Sequence, residues 1–292
     1  MTITIGVHSS NPSLYYLYHL TRLGFAQEEL APLGETVAFH PYTNGVRTGE
    51  LLTQGVIDFG GTGSTPPITA QAEGHDLVYT AVSAARPEHG ALLVPEAAPV
   101  RTVADLKGAT VHLAIGSWQT HLVAKALDDV GLSYADDITP ERSTEESEHL
   151  LRSGAIAAWV AQGPQLAAAQ RTGGLRTLVR TADVISDRSV FFTRRELAES
   201  RPEVVEALTR ALRRADGWAA AHPRAAAEIA AADLGGSADD WETALRALPW
   251  RIEAVSEEFI AEQQEAADIF HRTGFIPGPV TVARARAAAP VV

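Results

Sequence analysis

The stretch from Val56 to Gln71, VIDFGGTGSTPPITAQ, decides how the rest of the chain is read. Val56, Ile57 and Phe59 close an apolar run of the kind a short buried strand carries. Gly60, Gly61 and Gly63 come next, and without a Cβ they let the backbone turn tightly and approach a ligand. Ser64 or Thr65 then suits the N-cap of a helix whose first turn accepts Pro66 and Pro67. A strand, a glycine turn and a capped helix start aim free N–H groups and hydroxyls at one point. That geometry suits an anion or a carbonyl oxygen. An ordinary strand-to-helix turn reads the same way in isolation, so the argument leans on a second segment of the same kind.

That segment lies downstream. Val111 to Ile115 reads as a strand, Gly116-Ser117-Trp118-Gln119-Thr120 as a turn, and HLVAKALDDVG as a helix. Two such turns facing each other across a cleft offer Thr62, Ser64 and Thr65 from one side and Ser117, Trp118, Gln119 and Thr120 from the other. Trp118 serves either as a wall against an apolar ligand tail or as packing.

The first strand, Ile3 to Val7, leads through the loop His8-Ser9-Ser10-Asn11-Pro12-Ser13 into apolar helical spacing from Leu14 to Leu23. Open α/β sheets hold ligands at the carboxyl ends of their strands, which makes His8, Ser9, Ser10 and Asn11 candidates. Further strands are expected at Thr36 to His40, Leu77 to Val82, Ala91 to Val94, Ile156 to Val160, Thr177 to Val179 and Val190 to Thr193. The fourth of these, Ile156 to Val160, runs toward Gln162, another contact candidate. Arg86-Pro87-Glu88-His89-Gly90 reads as a loop or hinge, and Asp187-Arg188-Ser189 as the place where the chain crosses back. Arg86 and Arg188 are cations available to an anion. Ser133 to Glu148 is a polar stretch, and Arg195 to Ile276 is expected to be helical, with Trp218, Trp241 and Trp250 packing helices together.

Composition bounds the function. At 292 residues the chain suits one large or two medium domains. A net charge of -12, with no basic run or patterned cationic face, argues against a nucleic-acid partner. No apolar run reaches the roughly 18 residues of a membrane span. Zero cysteines remove disulfides, thiolate metal sites and a cysteine nucleophile, and no metal-ligand spacing or cofactor motif appears.

The phrases IDFGGTGSTPPITAQAEGHDLVYTA, ALLVPEAAPVRTVADLKGATVHLAIGS, GAIAAWVAQGPQLAAAQ and RPEVVEALTRALRRADGWAAAHP, taken in order, resemble the type II periplasmic-binding-protein fold. The group resembled is the aliphatic sulfonate, nitrate and taurine binding proteins of ABC transporters. The resemblance implies two α/β lobes, each a mixed sheet with flanking helices, joined by two crossover segments: lobe 1 from residues 1–92 and 188–292, lobe 2 from 93–187. It also implies a ligand held between helix N-termini and strand ends of both lobes, which carries over to Ser9 to Asn11, Thr62, Ser64, Thr65, Ser117 and Gln162. Members of the group often have Trp-Asp-Pro where this chain has Gln162-Gly163-Pro164. The first loop is similar to that of aromatic sulfinate desulfinases, cytoplasmic enzymes on the same fold. The cysteine that they use there is absent from Ser9-Ser10-Asn11-Pro12.

Two functions follow as expectations. One is a monomeric binding module that captures a small organic anion, a sulfonate by resemblance, and presents it to an ABC permease. The other is a cytoplasmic, metal-free lyase or hydrolase acting on a sulfur-containing or aromatic acid, with His8 or His40 as acid–base group and Ser9 or Ser10 as polariser or nucleophile. The chain reads as a strand from its third residue, which fits a cytoplasmic protein if Met1 is the native start and an exported one if a leader was removed.

Overall fold

The computed structural model describes residues 1–287. In chain order the strands are β1 (Thr2–Val7), β2 (Thr36–Pro41), β3 (Phe59–Thr62), β4 (Leu77–Ser83), β5 (Gly90–Pro95), β6 (Ala109–Leu113), β7 (Ile138–Arg142), β8 (Ala158–Gln162), β9 (Leu175–Arg180), β10 (Val190–Arg194) and β11 (Ile252–Glu253). They form two sheets. A six-stranded sheet runs β11-β4-β10-β3-β1-β2, and a five-stranded sheet runs β7-β6-β8-β5-β9. In the first, β1 pairs in parallel with β2 and β3, while β10 is antiparallel to β3 and β4. In the second, β6 is parallel to β7 and β8, and β5 is antiparallel to β8 and β9. Both sheets are therefore mixed, and the chain passes between them twice, after β4 and after β9.

The strands form where apolar and β-branched residues cluster, and they bury both faces because helices cover each side. On one face of the first sheet, Ile3, Ile5, Phe59 and Phe191 pack against Val204, Leu208, Ala211 and Leu212 of the helix Pro202–Ala221. Those positions recur at three- and four-residue spacing, and each fully buried leucine stabilises the fold by about 1.5–3 kcal/mol. The helix opens on Pro202 at its first turn and stops before Pro223, where the preceding residue is forced out of helical geometry. On the second sheet, Leu93, Trp159 and Leu151 meet Leu166 of the helix Gly163–Thr172.

Four sequence expectations are corrected. Gly60 and Gly61 do not turn: they lie inside β3, and neither has a positive φ. They are glycines because a Cβ on Gly60 would lie 2.9 Å from Thr48 Cγ2, and one on Gly61 would lie 2.8 Å from Asn11 Nδ2 and 2.9 Å from Phe191 Cδ1. The polar stretch Ser133 to Glu148 contains β7, an edge strand whose Thr139, Glu141 and Arg142 are exposed and which therefore lacks apolar alternation. The C-terminal third is helical except for β11, which pairs with the edge of β4. The boundary expected between residues 92 and 93 falls within β5, all of which belongs to the five-stranded sheet.

Candidate functional site

The carboxyl end of β1 delivers the loop His8 to Asn11 to the junction of the two sheets. Asn11 caps the helix Pro12–His19, its Oδ1 accepting from the Leu14 N–H at 3.2 Å. His8 Nε2 lies 3.0 Å from the Thr43 carbonyl oxygen, an acceptor only, so Nε2 carries the proton and Nδ1 accepts. Ser10 donates to that Nδ1 twice, through its hydroxyl at 2.5 Å and its backbone N–H at 3.2 Å. Burial depresses the pKa of His8 below its ordinary value, against the Thr43 hydrogen bond. Ser9, next to it, is exposed.

Across the junction, Gly116 turns the chain with φ of 86° and Ser117 caps the helix Trp118–Asp128, accepting from the Gln119 N–H at 3.1 Å. Trp118 is buried, and its Nε1 donates to Gln162 Oε1 at 2.9 Å; Gln119 Nε2 donates to the same oxygen at 3.0 Å. With both lone pairs of its carbonyl engaged, Gln162 leaves its amide N–H groups bonded to no described residue.

Two cavities open at this junction, and Ser10 stands on the wall of both. The first encloses about 180 Å3. Its polar lining is Ser9, Ser10, Glu88, His89, Gln162, Gln170 and Thr243, and its largest apolar side chains are Leu166, Trp241, Leu245 and Leu248. The second encloses about 170 Å3 and brings together His8, Ser10, Thr62, Ser117, Trp118 and Arg142. The guanidinium of Arg142 makes no ion pair with any described residue.

Behind the first cavity the two crossing segments are latched. Arg86 Nη2 meets Asp187 Oδ1 at 2.8 Å, and Asp187 Oδ2 lies 2.7 Å from His89 Nδ1. Arg86 also donates to Ser189 Oγ at 3.2 Å. Arg86 and Asp187 are almost wholly buried, a placement that charged groups tolerate only when paired. Asp187 adopts φ of 42°, in the left-handed region that Asp enters more readily than most residues. Burial opposes its ionisation, but the Arg86 guanidinium and the His89 ring outweigh burial and hold the carboxyl below its ordinary value.

The structure thus gathers Ser9, Ser10, His8, Thr62, Ser117, Trp118 and Gln162 around cavities and places the other candidates elsewhere. Thr65 donates to the Ser117 carbonyl at 2.7 Å, and Ser64 Oγ lies 3.1 Å from His121 Nδ1, so both hydroxyls join the two turns to each other. Neither they nor Asn11 nor Gln119 line either of these two cavities, because each is buried against protein partners. Arg86 is consumed by Asp187. Arg188 donates to the Ser83 carbonyl at 2.7 Å and to Glu253 at 2.6 Å. His40 sits half-buried on the edge strand β2, its ring stacked on Tyr42 at 6.5 Å. Sequence reasoning passed over His89, Arg142 and the wall formed by Trp241, Leu245 and Leu248. His89 lay within the segment read as a hinge, and Arg142 ends a strand that has no apolar signature.

Two mixed α/β lobes, joined by two crossing segments with cavities at the strand ends between them, define the type II periplasmic-binding-protein fold. Within that class, residues 25–226 match the model of the NMT1/THI5 like family, and the chain belongs to that family. It is 32% identical over 234 residues to an aliphatic sulfonates-binding protein of Escherichia coli (strain K12), covering 80% of this chain and 73% of the relative. The crystal structure of the periplasmic aliphatic sulphonate binding protein from Escherichia coli superposes with a TM-score of 0.86 at 29% identity, over 98% of this chain and 97% of that one. The alkanesulfonate-binding protein from Xanthomonas axonopodis pv. citri bound to MOPS gives 0.81 at 27% identity, over 98% and 97%. A desulfurization enzyme, DSZB, shares the fold at a TM-score of 0.63 and 17% identity, over 98% and 96%. No helix among the described residues is long and apolar enough to cross a membrane.

Proposed function

We propose that this chain binds an organic sulfonate in the cleft between its lobes and hands it to an ABC permease outside the cytoplasm. The lobes are residues 1–84 with 190–287, and residues 90–180. One observation carries the reading: the first cavity is lined both by hydrogen-bonding groups, among them Ser9, Ser10, His89 and Gln162, and by the hydrocarbon of Leu166, Trp241, Leu245 and Leu248. That division matches an amphiphile with a small oxyanion head and an apolar tail. Uncharged donors contribute strongly to holding a sulfonate because hydrogen bonds to an ionised acceptor are roughly twice as strong as neutral ones. The exposed guanidinium of Arg142, lining the adjoining cavity, raises the local positive potential and draws the anion into an otherwise acidic protein. The sulfonate-binding relatives support the same ligand class.

The test is a tryptophan-fluorescence titration with alkanesulfonates of increasing chain length, beside alkylammonium ions of matched length. Sulfonate affinity is expected to rise about fourfold per added methylene, corresponding to about 0.8 kcal/mol each. Arg142→Ala is expected to weaken sulfonate binding and flatten its salt dependence. Equal binding of alkylammonium ions, or release of sulfite on incubation, would contradict a sulfonate-binding role.

A further inference from the structure

The polar lining of the first cavity contains a histidine held from behind. His89 Nδ1 sits 2.7 Å from the Asp187 carboxylate, which only accepts, so Nδ1 carries a proton in every state of the pair. Arg86 fixes the carboxylate, and the ring packs against Trp118 with centroids 5.0 Å apart. The orientation of the imidazole is therefore settled before any ligand arrives. Its Nε2 makes no hydrogen bond to a described residue, and the side chain keeps 10% of its surface open, on the wall of the cavity with Ser9, Ser10 and Gln162.

In the neutral ring Nε2 presents a lone pair, which repels an oxyanion; only the imidazolium presents a second N–H. Resting on the sulfonate-binding reading above, we infer that the site takes up its anion together with one proton on His89 Nε2. The proton comes from solvent, binds the Nε2 lone pair and breaks no bond. Burial, then the nearby Arg86 guanidinium, hold the ring's pKa below its ordinary value, against the pull of Asp187. The ring is thus uncharged before the anion enters. The buried Arg86–Asp187 pair is neutral as a unit, so the imidazolium supplies the charge that balances the head group.

The other groups around the ring leave it that task. Glu88 is exposed at the cavity's edge and favours protonation. His121, whose ring also feels Asp187, is buried and held neutral, with its pKa pushed down to about 4. The helix Gly163–Thr172 contributes Gln170 and apolar side chains, and the helix Ala238–Arg246 contributes Thr243 and apolar side chains, with no charge from either lining the cavity. His8, across Ser10, has both ring nitrogens engaged.

The experiment is calorimetric titration of the full chain with 1-hexanesulfonate, which does not titrate near neutrality, in phosphate and in Tris buffers from pH 6 to 8.5. These buffers differ in ionisation enthalpy, so the titrations count protons. The expected result is uptake of close to one proton per sulfonate and an affinity that falls about tenfold per pH unit above neutrality. Nitrogen chemical shifts of His89 are expected to move from the neutral Nδ1–H form to the imidazolium on binding. In His89→Gln, whose amide donates without a proton, uptake should vanish and binding become independent of pH. Tight sulfonate binding with no proton uptake, or uptake that persists in His89→Gln, would overturn the inference and leave the ligand class standing. Absence of sulfonate binding at every pH would overturn both. The wild-type proton count and the His89 shifts decide the matter even if the variant fails to fold.

Discussion

Two stretches that read alike in sequence are built in different ways. Ala114 to Thr120 is a true turn: Gly116 takes a left-handed φ, Ser117 caps its helix, and Gln119 Oε1 accepts from the Ala114 N–H at 2.7 Å. Phe59 to Thr65 has no such turn. Its first glycines are strand residues, and Ser64 sits at the start of the helix Thr65–Ala72 without a side-chain cap. Its hydroxyl meets His121 instead, and Thr65 reaches across to the Ser117 carbonyl. One stretch is organised by its own backbone, and the other by what presses against it. Glycine in a turn answers a conformational demand; glycine in a crowded strand answers a steric one.

The largest effect expected from this contrast lies where the two stretches touch. Burial pushes the pKa of His121 down to about 4, whereas the unfolded chain binds that proton at about 6.5. The unfolded state therefore holds more protons between these values, so the contribution of His121 is fully present above pH 6.5 and is lost as pH falls toward 4. The loss is on the order of 3 kcal/mol. Urea unfolding of the wild type and of His121→Gln, compared at pH 7 and pH 4, should show this excess acid sensitivity in the wild type alone.

A smaller effect separates the glycines. Gly61→Ala places a Cβ 3.0 Å from the Val190 carbonyl as well as against Asn11 and Phe191, and is expected to cost about 2 kcal/mol by overpacking. Gly116→Ala meets a positive φ and places its Cβ 2.9 Å from one flexible methyl, Val46 Cγ2, rather than from backbone, and is expected to cost about 1 kcal/mol. Equal thermal shifts for the two would erase the distinction. The smallest effect belongs to the caps: Ser117→Ala should destabilise by about 1 kcal/mol or less, measured by urea unfolding, through loss of the hydrogen bond from the Gln119 N–H.

The same contrast explains what the sequence could disclose. The strands Thr2–Val7, Leu77–Ser83, Gly90–Pro95 and Val190–Arg194 are apolar because helices cover them, and their runs are visible without any partner. Candidate contacts at strand ends, Ser9, Ser10, Ser117 and Gln162, were legible because backbone punctuation marks those ends. Destinations of side chains were not. Arg86 and Asp187 are 101 residues apart, and no local pattern announces that one consumes the other. Arg142 ends a strand, Ile138–Arg142, that lies on an edge and carries a proline and exposed polar residues, so its periodicity is silent. The hydrocarbon wall of the cavity comes from the helix Ala238–Arg246, read only as packing, and from Leu248 just after it, because these side chains look the same whether they meet protein or ligand.

The central claim is that the cleft receives a sulfonate head at the Ser9–Ser10 loop, with its tail along that wall. A crystal structure of the chain with 1-hexanesulfonate tests it most directly. The account predicts sulfonate oxygens within hydrogen-bonding distance of Gln162 Nε2, His89 Nε2 and the Ser9–Ser10 loop, and the alkyl chain against Trp241 and Leu248. A ligand bound outside the two lobes, or one lying with its sulfonate toward Trp241 and its methyl end toward Gln162, would contradict it.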